Sequence, residues 1–140
     1  MTISKFILVI IAVVCFALIL SSCSTNRVVK GQLKEEFSLR IGQTAYIADE
    51  NLKIEFVEVI EDSRCPRNVN CIWVGRVVVK VRIVTNASAH ELILTQAGLT
   101  EEYATEEYQD YELSYQMEPY PEHGKTISRD QYRLLLLVAK

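Results

Sequence analysis

From Phe37 onward the chain alternates apolar and polar positions, the period of a strand with one face in a core. Phe37, Leu39 and Ile41 share a face up to Gly42, and Thr44 to Ala48 predicts a second short strand before the turn residues Asp49-Glu50-Asn51. Leu52, Ile54 and Phe56 point one way, then Val57 and Val59 continue in the opposite phase, which predicts a β-bulge. The clearest strand is Arg76 to Thr85, with Val77, Val79, Val81 and Ile83 inward and Arg76, Lys80 and Arg82 on a solvated face. After the turn Asn86-Ala87-Ser88, the series His90, Leu92, Leu94 reads as its hairpin partner. Residues 97–107 are acidic and irregular and read as a connection. Tyr111, Leu113, Tyr115 and Met117 alternate again, and Pro119-Tyr120-Pro121-Glu122-His123-Gly124 must be a loop, since two prolines and a glycine interrupt any ladder. Tyr132, Leu134, Leu136 and Val138 close the chain in phase, with Leu135 and Leu137 suggesting cover on both faces. About seven short strands without a helical period predict an all-β domain over residues 37–140. The expected architecture is an antiparallel β-sandwich, with a small barrel as the alternative.

Upstream the pattern changes twice. Residues 24–36 show neither period and read as a polar tether whose charges, Arg27, Lys30 and Lys34, are scattered rather than clustered. Before them, Phe6 to Leu20 is an unbroken apolar run of 15 residues, shorter than the roughly 20 that a spanning helix needs. Lys5 precedes the run and the small residues Ser21 and Ser22 follow it, the layout of a signal peptide. Leu20-Ser21-Ser22-Cys23 resembles the lipobox of bacterial lipoproteins. That resemblance implies cleavage before Cys23, a thioether-linked diacylglycerol on its sulfur and a further acyl chain on the new N-terminus. Two or more chains make a stable anchor. The expected division is therefore a signal peptide over 1–22, a lipidated tether over 23–36 and the β-domain over 37–140. The bilayer is the first expected partner, and the expected location is the cell envelope. Ser24 stands where an inner-membrane retention aspartate would, which favours the outer membrane in a cell with two.

Charge narrows the partners. The chain carries 15 basic and 18 acidic residues, a formal −3, and removal of residues 1–22 takes away only Lys5, leaving −4. A nucleic-acid partner is not expected of such a domain. Of the four cysteines, Cys15 lies in the signal peptide and Cys23 in the lipobox-like motif. Given the compartment that motif implies, Cys65 and Cys71 are expected to form a disulfide.

The segment Glu61-Asp62-Ser63-Arg64-Cys65-Pro66-Arg67-Asn68-Val69-Asn70-Cys71-Ile72-Trp73-Val74-Gly75 is the least ordinary in the chain. An acidic residue, DSRCP, a short loop and CxWxG before a valine-rich strand is similar to a pattern in small uncharacterised bacterial lipoproteins, a family that implies no particular activity. Two readings of the residues stay open. In one, the segment is a structural staple: Asp62 pairs with Arg64 or caps loop amides, and Trp73 buries its ring over the disulfide. In the other it is a rigid binding loop, in which Asp62, Arg64, Arg67 and Trp73 are the candidate residues, of types enriched at binding hot spots.

Other chemistry has weaker support. Cys65, Cys71, His90 and His123 lack the spacing of a compact zinc module. Glu101, Glu102, Glu106 and Glu107 lack the Asp/Asn and glycine ladder of a calcium loop. No GxSxG or other nucleophile signature is present. Tyr103, Tyr108, Tyr111, Tyr115 and Tyr120 accompany the acids, and core or rim packing accounts for them more simply than a glycan groove does. The expectation is a non-enzymatic lipoprotein with no metal or cofactor, binding an envelope protein or peptide. An inhibitor or peptide-binding module using residues 62–75 is the alternative, and a hydrolase the more remote one.

Overall fold

A computed structural model describes residues 27–86 and 88–140. The segment expected to be a signal peptide, Cys23 and Ala87 of the predicted turn lie outside the described residues. Among the described residues nine strands follow in order: β1 (Val28–Gly31), β2 (Glu36–Arg40), β3 (Thr44–Ile47), β4 (Leu52–Asp62), β5 (Arg76–Val84), β6 (Ala89–Ala97), β7 (Ala104–Tyr108), β8 (Tyr111–Glu118) and β9 (Arg133–Ala139). One turn of 3-10 helix, Ala48–Glu50, joins β3 to β4.

The strands form two open sheets, one ordered β1-β3-β4-β5-β6 and the other β2-β9-β8-β7. The protein is thus a β-sandwich, not a closed barrel. The alternating apolar residues of each sheet meet between the layers, where Leu39, Ile54, Phe56, Ile83, Leu94 and Leu136 are fully buried. Burial of such a side chain is worth about 1.5–3 kcal/mol, and this shared interior is what holds the layers together. The outer face of β5 carries Lys80 and Arg82, paired with Glu58, Glu55 and Glu91 on the flanking strands. The phase change in β4 is real: its pairing with β5 shifts register between Phe56 and Glu58 and again between Val59 and Glu61. On β9, Leu134, Leu136 and Val138 are buried and Leu135 and Leu137 only partly covered.

Two strands depart from the sequence reading. β1 lies within the stretch read as a tether and pairs in parallel with β3, so the sheets are not wholly antiparallel. The Arg27 carbonyl accepts a hydrogen bond from the Thr44 N–H at 2.7 Å, and Gly31 packs so tightly that a Cβ there would stand 3.1 Å from Phe37 and Ile47. β7, in the acidic stretch read as irregular, pairs with β8 and leaves Thr105, Glu106 and Glu107 exposed. Both are edge strands, and β7 carries the exposed charge that is usual at an edge.

Candidate functional site at the disulfide-closed end

The β4 and β5 strands continue past their ladder into the unusual segment. Ser63 N–H donates to the Arg76 carbonyl at 2.8 Å and Cys65 N–H to the Val74 carbonyl at 3.0 Å. These bonds leave residues 66–73 as the tip of a hairpin, closed by the Cys65–Cys71 disulfide with a Cα–Cα distance of 6.0 Å. Glycine at 75 is required twice over: its φ is +66°, and a Cβ would stand 1.8 Å from the Ser63 carbonyl oxygen. At Gly98, just after β6, a Cβ would lie 1.9 Å from the Val74 carbonyl oxygen. The chain end of β6 is thereby packed directly against the tip, which brings Leu99 beside it.

The DSRCP residues turn inward. Arg64 is only 4% exposed. Its Nε and Nη2 donate to the two oxygens of Asp62 at 2.8 and 2.7 Å, a bidentate pair. Its Nη1 and Nη2 also donate to the carbonyls of Met117 and Pro119 at 2.9 and 3.0 Å. Asp62 accepts further bonds from Arg64 N–H and, at 3.0 Å, from the Tyr132 hydroxyl. One guanidinium therefore fastens the hairpin of the first sheet to the end of β8 in the second. Burial, and then the Asp62 charge, push the Tyr132 phenol up to about 12. Among the described residues no buried side-chain nitrogen or oxygen lacks a hydrogen-bond partner.

The aromatic that packs here is Tyr120, not Trp73. The guanidinium carbons of Arg64 and Arg67 lie 5.1 and 5.4 Å from its ring centre. Its hydroxyl donates to the Cys65 carbonyl at 2.9 Å and accepts from Leu99 N–H at 2.8 Å. Trp73 does not bury its ring over the bridge: it is 81% exposed. Its neighbours Ile72 and Val74 are 94% and 50% exposed, and Leu99 is 62% exposed. Arg67 is half exposed, and its side chain pairs with Glu101.

The four candidate residues therefore separate. Asp62 and Arg64 are interior braces, so neither is a surface contact. Arg67 lies on the rim and Trp73 projects from the tip. Tyr120, Tyr132 and Leu99 belong to this end as well, and sequence reasoning did not assign them to it. The one signal for Tyr120 was its place between Pro119 and Pro121, a conformationally restricted stretch.

The remaining candidates do not converge. His90 and His123 are both exposed, the first at the start of β6 and the second in the loop after β8, at opposite ends of the sandwich. Cys65 and Cys71 are joined to each other, and among the described residues no group of three His, Cys, Asp or Glu could hold a metal ion. The tyrosines serve separate contacts: Tyr115 bonds Thr95, Tyr111 bonds Glu50 and Tyr103 bonds Glu36. The hollow below the tip is shallow and of mixed charge, lined by Arg67, Glu101, Glu118, Tyr120 and Arg133 among others. Comparison with known protein families, curated proteins and solved structures finds no match to this chain.

Proposed function

We propose that this protein is a lipid-anchored lipoprotein of the bacterial envelope whose β-sandwich is a non-catalytic binding domain, with the disulfide-closed tip as its contact element. The observation that carries the reading is the exposure of Ile72, Trp73 and Val74, three consecutive apolar residues, on a loop braced from below by the disulfide and by Arg64. A contiguous apolar patch on an otherwise charged surface marks an interaction site. Bracing lowers the entropy lost when the loop is captured. Trp73 is the anchor of the contact, Arg67 stands at its rim, and Asp62 and Arg64 are positioning residues.

The anchor rests on Leu20-Ser21-Ser22-Cys23 and the short apolar run before it. Metabolic labelling with palmitate tests it. The wild-type chain should take up label and Cys23→Ser should not; an unlabelled wild type, or a labelled variant, would overturn lipidation.

A further inference from the structure

We infer that the tip's ligand is the membrane that holds the Cys23 lipid, so that the domain is attached at two points rather than hanging free on a tether. This rests on the lipid-anchored reading above and names what its contact element touches.

The direction of the strands supports it. β1 runs parallel to β3 and therefore antiparallel to β4, whose far end leads into the tip. The chain thus enters the first sheet from the side that carries the disulfide. Val28 lies level with Thr44, Thr44 with Glu55, and Glu55 with Arg82, whereas Asp62 lies level with Val77. Those five residues of β5 place the base of the tip about 17 Å beyond the entry point, at about 3.3 Å per residue. From Arg27 back to Cys23 the chain is four residues, which span at most about 14 Å. The link is shorter than the offset. With the strands along the membrane normal and the disulfide end down, the tip meets the bilayer before the link is fully extended.

The chemistry of this end suits an interface. An indole beside aliphatic side chains is the composition that settles at headgroup level, where one part of the ring is apolar and the N–H stays wet. Arg27, Arg40 and Arg129 are exposed around the entry point, where Arg27 and Arg40 border one hollow and Arg40 and Arg129 the next. No ion pair among the described residues engages these three, whereas Glu61, Glu101 and Glu122 at the same end are each paired with a cation. These exposed arginines, with Asp130 as the acid beside Arg40, put positive charge on the shoulder that would face anionic headgroups.

Trp73 is the only tryptophan in the chain, so its fluorescence reports the tip alone. The test uses the full lipidated protein reconstituted into phosphatidylethanolamine–phosphatidylglycerol vesicles, with and without brominated acyl chains. Trp73 should shift to shorter wavelength, lose most of its emission to the brominated lipid and resist acrylamide. Ile72→Asp, which keeps the probe and alters only an exposed position, should restore the emission and the acrylamide access while the protein stays on the vesicles. Wild-type protein that floats with vesicles but keeps a water-accessible, unquenched Trp73 would overturn tip insertion and leave the anchor standing. Failure to float at all would overturn the anchor and this inference with it. Shielding of Trp73 in native envelopes but not in reconstituted vesicles would assign the tip to a protein partner instead.

Discussion

The two arms of the disulfide loop invert the usual arrangement of a protein surface. In the ascending arm the charged side chains of Asp62 and Arg64 are buried, with every polar group of the pair bonded. The descending arm, Ile72 to Val74, is apolar yet exposed. The polar arm grips the second sheet through two carbonyls, Met117 and Pro119, and the apolar arm is held out on that support. A loop stabilised from below by charge leaves its hydrophobic residues unspent on the core.

Breaking the buried arm should have the largest effect. Arg64→Ala leaves Asp62 and two carbonyls buried without their donor and should cost about 3–5 kcal/mol in denaturant unfolding; a loss under about 1 kcal/mol would mean the pair is solvated. Replacing both Cys65 and Cys71 with serine should cost about 2 kcal/mol, the loop-closure value for so short a ring, read as a lower urea midpoint.

Tyr132 supplies a pH signature. Its phenol holds its proton up to about 12 in the folded protein, against an ordinary 10.0. The stabilisation is therefore fully present below pH 10 and is lost as the pH rises from 10 towards 12. Tyr132→Phe should show a shallower loss of stability over that window, while Tyr103, also raised to about 12, keeps the slope from vanishing. A variant with the wild-type slope would remove Tyr132 from the brace. The smallest effect belongs to the exposed arm: Trp73→Ala should change unfolding free energy by less than about 0.5 kcal/mol, as an exposed side chain with no core contact should. A larger loss would show that the indole packs.

Much of this fold is legible in the sequence because period-two alternation records which face of a strand is buried. The seven strands with that pattern include β4, whose phase change marks its bulges. β1 and β7 escaped because they bury little apolar surface, unlike β2, also a five-residue edge strand, in which Phe37 and Leu39 alternate into the core. The sequence singles out the segment but does not sort its residues into buried and exposed ones. Arg64 looks like a surface contact until the carbonyls of Met117 and Pro119, 53 and 55 residues away, are known to receive it. Trp73 looks like core until the structure shows it exposed and Tyr120 as the aromatic packed against Arg64.

The exposed tip is most directly tested by the emission of the lone tryptophan in residues 24–140, which carry all nine strands, in solution without lipid. The expected result is the long-wavelength emission of a solvated indole, full quenching by acrylamide, and no wavelength shift across a denaturant transition that circular dichroism shows to be cooperative. Short-wavelength emission, shielded from acrylamide and moving to the red on unfolding, would place Trp73 in the interior and contradict a tip held out for contact.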